Sequence, residues 1–216
     1  MAASMNAGLF SLYWDNIDEQ IVRHQKLVFD HFGLPVKQHR IDGLDHGEWM
    51  DWVLSFYDLD AVLFVDIDCI PLNSEIVTRS LEKAAHGALF GAMGCANHLD
   101  PNRVFAAPFW CAINRHQWIG LSRPSAKASR VCDVAQNWTD VFAMRGQKVE
   151  LLPVSDCEQP RWNFPGVPLG FGIGTTYGDA VYHLFESRAD RNIDRFVRRC
   201  STVLGGPKDS SLREAG

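Results

Sequence analysis

Ala61-Val-Leu-Phe-Val-Asp66-Ile-Asp68-Cys-Ile-Pro71-Leu-Asn73 is the stretch whose reading decides the fold. Ala61 to Val65 is the most continuously apolar run in the chain and reads as a strand buried on both faces. Two carboxylates close it. Pro71-Leu72-Asn73 then offers a turn and an N-cap for a helix running to about Ala85 and ended by Gly87.

The pattern on either side repeats this strand-then-helix order. Upstream, Gly8 to Trp14 reads as a strand, and Ile17, Ile21, Val28 and Phe32 share one helical face behind a capping Asp15 or Asn16. Pro35 to Ile41 is a second strand. A second helix carries Trp49, Trp52, Val53, Phe56 and Tyr57 at the spacing of a buried stripe. Downstream, Ala88 to Met93 is a buried strand, Asn97 to Arg103 a polar loop and Phe109 to Ile113 a further strand. Val131, Val134, Ala135, Trp138, Val141 and Phe142 share one face of a helix ended by Gly146. Val149 to Leu152 and Ala180 to Leu184 read as strands, and the Gly- and Pro-rich stretch Ser155 to Gly178 as a long functional loop. Such alternation specifies an α/β protein with a mixed central sheet flanked by helices. We expect a single domain over residues 1–204 and a disordered tail over 205–216.

Composition narrows the function classes. A chain of 216 residues, 46% apolar and 22% charged, buries a full core. With 21 Lys+Arg against 26 Asp+Glu the net charge is −5, which argues against nucleic acid as the main partner. The six cysteines are scattered without a Cys-x-x-Cys, so they do not read as a zinc site. The opening MAASMNAGLF lacks the basic stretch and apolar core of a secretory signal, and no run of about 18 apolar residues occurs. Reduced thiols in a cytoplasmic protein are the expectation.

The chemistry lies in Asp66 and Asp68, at the C-terminal end of a buried strand, where open α/β sheets place their ligands. Extended backbone alternates sides every residue, so these two carboxylates point the same way. Like charges that close repel unless something positive sits between them, and a divalent cation is the simplest solution. Asp58-Leu59-Asp60 has the same spacing but precedes the strand, where turn formation explains it.

On these residues the chain resembles the glycosyltransferases of the A-type (GT-A) fold. Their Asp-x-Asp motif after a buried strand holds Mn or Mg against the diphosphate of a nucleotide-sugar. The order of elements leading to Asp66-Ile67-Asp68-Cys69-Ile70-Pro71-Leu72 is similar to the nucleotide-binding half of that fold. Val181-Tyr182-His183-Leu184-Phe185 resembles the strand that bears its third metal ligand, which makes His183 the counterpart here. Trp162 and Asn163, with Phe109 to Asn114, resemble its sugar- and acceptor-facing parts. Where Trp110 and Ala112 stand, many retaining members carry Asn and Gly.

The resemblance implies a donor nucleotide-sugar, UDP-linked in the first instance, and an acceptor that is a glycan, a lipid-linked sugar or a protein. Two carboxylates with one imidazole suit Mn2+ slightly better than Mg2+. The nucleoside would lie over the first two strands, with Tyr13 or Trp14 stacking on the base and Arg40 or Asp42 meeting its polar edge or the ribose. Asp133, Asn137 and Asp140 share a helical face, which makes Asp133 the candidate catalytic base or sugar contact; Asp156 in the long loop is a weaker one. The last helix, residues 189–204, sets Ile193, Phe196, Val197, Cys200 and Leu204 against Arg191, Arg195, Arg198 and Arg199. It either packs on its own domain or contacts an anionic membrane peripherally.

Two rivals share parts of this pattern. Haloacid-dehalogenase-like phosphatases also place Asp-x-Asp after an apolar strand, but on the first strand and with a downstream Gly-Asp-x-x-x-Asp, whereas Gly178-Asp179 is followed by Leu184. A non-catalytic nucleotide-sugar-binding protein would keep the site without transfer. Pyrophosphorylases share the GT-A fold, but the Gly-rich start they use to cradle phosphate is missing.

Overall fold

A computed structural model describes residues 5–205. Within it β1 (Ala7–Tyr13), α1 (Glu19–His31), β2 (Val36–Arg40), α2 (His46–Phe56), β3 (Ala61–Val65), β4 (Cys69–Pro71) and α3 (Glu75–Ala85) follow in order. Next come β5 (Leu89–Ala96), β6 (Asp100–Asn114), α4 (Arg115–Gly120), α5 (Gln136–Met144) and β7 (Val149–Leu152). The chain closes with β8 (Val154–Asn163), β9 (Gly170–Tyr177), β10 (Val181–His183) and α6 (Asp190–Val203). Helices thus flank a mixed six-stranded sheet of order β2-β1-β3-β6-β5-β7, and a four-stranded sheet of order β4-β10-β9-β8 stands beside it.

The pleat of β3 explains the layering. Val62 and Phe64 face a core shared with Trp49, Met50 and Val53 of α2 and Trp138 and Phe142 of α5. Ala61, Leu63 and Val65 face the opposite core, with Ile76, Val77 and Leu81 of α3. β1 and β2 run parallel to β3, because a helix carries the chain back between them, while β6 runs antiparallel. A third core joins the second sheet to α1 and α6 through Ile21, Val28, Ile70, Tyr182, Phe196 and Cys200.

Several expectations are corrected. The polar loop over 97–103 and the strand over 109–113 are largely one 15-residue strand, β6, paired with both β3 and β5. Helix α5 starts only at Gln136, because Ala135 takes a left-handed φ of 62°, and Val131 is exposed. The long loop expected over 155–178 is a hairpin of β8 and β9 with two register shifts. Asp18 caps α1 in place of Asp15 or Asn16, accepting a bond from the Gln20 amide (2.7 Å). Helix α6 packs on its own domain, as the first of its two readings has it, through Ile193, Phe196, Cys200 and Leu204 in the third core; Arg195 pairs with Glu158 and Arg199 lies over the Tyr182 ring. No helix among the described residues is long and apolar enough to cross a membrane. Apart from Gly205, the expected tail lies outside the described residues. All six cysteines are unpaired thiols.

Candidate metal centre

β3 ends at Val65, and Asp66 to Asp68 form a turn that hands the chain to β4 in the second sheet. The two carboxylates therefore converge through a turn, closed by the Cys69 amide donating to the Asp66 carbonyl (3.0 Å), rather than through continued extended backbone. Four further hydrogen bonds fix it. The Asp66 amide donates to the Phe109 carbonyl of β6 (3.1 Å), and the Leu184 amide after β10 donates to the Asp68 carbonyl (2.9 Å). From α1 the fully buried Gln25 donates through Nε2 to the carbonyls of Asp66 (2.6 Å) and Cys69 (3.0 Å), while its Oε1 accepts from Gln38 (3.0 Å).

Gln25 is the buried clamp of this turn. Gln25→Leu keeps similar bulk but deletes both bonds to the turn and the one from Gln38, a combined cost of about 2–3 kcal/mol at about 1 kcal/mol per buried bond. We expect a fall of that size in urea-unfolding free energy, together with weaker manganese binding as the turn loosens.

His183 reaches the same point from β10. Pairing with Cys69 on one side and Thr175 on the other fixes its backbone, and its ring stacks on Phe109 at 4.1 Å and 7°. Its Nε2 lies 3.4 Å from Asp68 Oδ1. Ligand atoms of Asp66, Asp68 and His183 all fall within 4.8 Å of one another. Donors about 2.1 Å from one ion stand at most about 4.2 Å apart, so small side-chain rotations bring the three around a single cation. Two hard oxygens and one imidazole suit Mn2+ or Mg2+ in chemistry as well as in spacing. Burial holds the Asp66 carboxyl above the usual carboxylate range; His46 draws it back, Asp68 adds to the rise and His183 opposes it.

The group opens into a cavity of about 730 Å³. The wall also contains residues that sequence reading passed over. His46, the first residue of α2 behind its Asp45 cap, places Nε2 3.5 Å from Asp66 Oδ1. Arg188 sits with its guanidinium 5.5 Å from the Trp14 ring centroid, and Glu186 and Ser187 flank it. Glu186, at a left-handed φ of 61°, is tied to Arg161 and Arg191 and through its carbonyl to Asn192. His46 lies 20 positions ahead of Asp66, so only the folded chain shows them to be neighbours.

The remaining candidates divide. Trp14 lines the cavity, with its indole N–H donating to the Leu44 carbonyl (3.0 Å), whereas Tyr13 is packed in the third core. Arg40 pairs with Asp42 (3.5 Å), Asp42 accepts from the Asp15 amide (2.8 Å), and neither residue reaches the cavity wall. Trp162 packs on Phe171 and Phe185, two wall residues, but is not itself part of the wall, and Asn163 is exposed outside it. Asp133 does line the cavity. It precedes α5 instead of sharing its face, with Oδ1 accepting from the Val134 amide (2.8 Å) and its own amide donating to the buried Gln136 (2.8 Å). Asp140 is paired with Arg103, Asn137 donates to the Ser125 carbonyl, and Asp156 lies on β8 outside the cavity wall.

No family model and no curated protein matches the chain. Among solved structures, a mutant of Drosophila β1,4-galactosyltransferase 7 in complex with manganese, UDP-Gal and xylobiose is similar at a TM-score of 0.49 and 12% identity, over 85% of this chain and 73% of that one. A197 from STIV gives a TM-score of 0.43 at 11% identity, over 84% and 95%. The glycosyltransferase GlyE of Streptococcus pneumoniae gives 0.44 at 14%, over 69% and 45%. At such identities a likeness concerns the fold alone, and at such scores it assigns neither family nor activity.

Proposed function

We propose that this chain is a metal-dependent glycosyltransferase that takes a sugar from a nucleotide-diphosphate sugar, UDP-linked in the first instance, and passes it to an acceptor hydroxyl. The observation that carries this reading is the convergence of Asp66, Asp68 and His183 on one point of a large cavity at the C-terminal end of β3. These three residues hold the cation, Mn2+ or Mg2+. When bound, it neutralises charge on the diphosphate that departs and aligns the donor.

The chain's own groups account for the rest. Transfer breaks the bond between the sugar and the phosphate oxygen, forms one from the sugar to the acceptor oxygen, and leaves the acceptor proton to be taken up. Asp133, a carboxylate in the cavity wall oriented by the Val134 amide, is the group to receive that proton. Trp14 offers an aromatic face to the base, and Arg188 beside it offers a cation to the phosphates.

The test is a panel of nucleotide-sugars screened by thermal shift with and without manganese. A donor that binds only the folded protein raises its melting temperature. We expect a shift for at least one nucleotide-sugar only when manganese is present; a panel with no manganese-dependent shift removes the proposal. Arg188→Ala should weaken the same donor about tenfold, the scale of one charge-assisted contact of about 1.4 kcal/mol at an exposed position. Titration of the purified variant by calorimetry measures it.

A further inference from the structure

Strand order gives the cavity two chemically different ends. β1 lies to one side of β3, and β6 and β5 lie to the other. On the β1 side the wall holds Trp14, His46 and Arg188. Across the Asp66 turn it includes Gly94, Cys95, Phe105, Ala107, Phe171 and Tyr177, every one of them buried, with the Asp133 carboxylate at their border. Phe105 and Ala107 share the face of β6 that continues to Phe109, and Phe109 stacks on His183. The apolar wall therefore runs without a break up to the proposed reacting centre.

Away from Asp133, these six residues have little capacity to hydrogen-bond a ligand. Gly94 pairs with Phe105 in the β5–β6 ladder, Phe171 and Tyr177 pair with β8, Ala107 lies in a register shift of β6, and the Cys95 thiol already donates to Asn97 Oδ1 (3.2 Å). The Tyr177 phenol is the one other side-chain polar group among the six. A sugar ring seated against these six residues would bury several hydroxyls with only the Tyr177 phenol and, at the border, Asp133 to pair with, and each hydroxyl left unpaired weakens binding about tenfold or more. An aromatic ring or alkyl chain loses nothing of the kind and gains from apolar contact.

We propose that this end receives an apolar group of the acceptor, so that the acceptor is an amphiphilic alcohol or glycoside whose reacting hydroxyl adjoins an aryl or alkyl group. The proposal rests on the reading above, in which the opposite end holds the nucleotide. The shared chemistry is an apolar group beside a hydroxyl, whether it comes from an aromatic compound or from a lipid.

Binding of methyl, phenyl and n-hexyl β-D-glucopyranosides and galactopyranosides, followed by calorimetry with and without manganese and UDP, tests it. For the better sugar, the phenyl or hexyl compound should bind about thirtyfold more tightly than the methyl compound, the gain from burying one such group. A larger gain for phenyl identifies an aromatic acceptor, and a larger gain for hexyl a lipid one. Ratios within about threefold, or no binding by any member of the panel, overturn the proposal. Cys95→Asp, or Phe171→Ala if the first does not fold, should cut the ratio at least fivefold, and a ratio unmoved in a folded variant also overturns it. Nucleotide-sugar binding that stays manganese-dependent while the preference is absent leaves the transferase reading standing without this extension. A preference that persists with no manganese-dependent nucleotide-sugar binding sinks that reading, and with it the identification of the occupant as an acceptor.

Discussion

Asp68→Asn and Asp66→Asn are each expected to weaken manganese-dependent nucleotide-sugar binding by about a hundredfold or more, with the fold intact. Removing a direct ligand exceeds the tenfold to hundredfold loss typical of residues that merely orient ligands. Neither carboxylate carries the architecture. The turn is held by its backbone groups, through Cys69, Phe109, Leu184 and the Gln25 clamp, and among the described residues the carboxylates pair with the imidazoles of His46 and His183. The effect on stability has a definite sign. Burial raises the Asp66 carboxyl in the folded protein, so the folded state holds its proton to higher pH than the unfolded chain. Its contribution to stability is fully present below the unfolded value and is lost as pH rises through the folded one. At neutral pH the ionised group is a liability that a cation relieves. Asp66→Asn should therefore melt at or above the parent temperature at pH 7 without metal, and the stabilisation that manganese gives the parent should disappear. Both appear in one set of melting curves recorded with and without manganese, alongside calorimetric titration of the donor. A variant that binds donor and metal as the parent does removes the metal centre from this site.

The α/β alternation, β3 and the acids that end it are legible in the sequence because each depends on local pattern. Ala61 to Val65 can satisfy its apolar side chains only inside a sheet, and the strand bounds there and at Val149 to Leu152 agree with the structure. What is not legible depends on distant partners. Asp100-Pro-Asn-Arg103 has the composition of a turn, yet it opens β6 because β5 lies alongside, pairing Ala96 with Asp100 and Cys95 with Val104 on either side of a register shift. The glycines of β9 resemble loop punctuation, but at Gly172 an added Cβ would stand 2.3 Å from the Gln159 carbonyl oxygen, so glycine is there to let two strands approach. Val131, Val134, Ala135 and Trp138 keep helical spacing, while the left-handed Ala135 breaks the helix between them.

The candidate site shows the same division. Asp66 and Asp68 announce their chemistry through two like charges at a strand end, and His183 enters through resemblance. Gln25 and Phe109, which aim those ligands, and His46, which faces Asp66, carry no local signal; each is supplied by a different element and meets the others only in the folded chain. The apolar end of the cavity is equally silent, because residues such as Phe105 and Ala107 read simply as core.

Gly47→Ala separates a reading from propensity and one from packing most sharply. Gly47 is the second residue of α2 and has ordinary helical geometry, so alanine there would stabilise an isolated helix by about 0.8–1 kcal/mol. In the folded protein the added Cβ would stand 2.5 Å from the Ala126 carbonyl oxygen and 2.5 Å from Lys127 Cα, both backbone atoms. That segment cannot easily retreat. Asp51 of α2 accepts from the Ser125 hydroxyl (2.7 Å) and the Ala126 amide (2.9 Å), Glu48 pairs with Lys127, and the Trp118 and Trp138 indoles both donate to the Pro124 carbonyl. Relief requires the start of α2 to move away from the segment, breaking part of this set. We expect a net loss of about 3 kcal/mol, the upper part of the range for overpacking a tight contact. Because His46 is the adjoining residue, the same displacement should carry its imidazole away from Asp66. Urea unfolding gives the first quantity, and the chemical shifts of 15N-labelled His46 give the second. A variant as stable as the parent, or more so, would mean that α2 and the 125–127 segment are not held at this distance in solution.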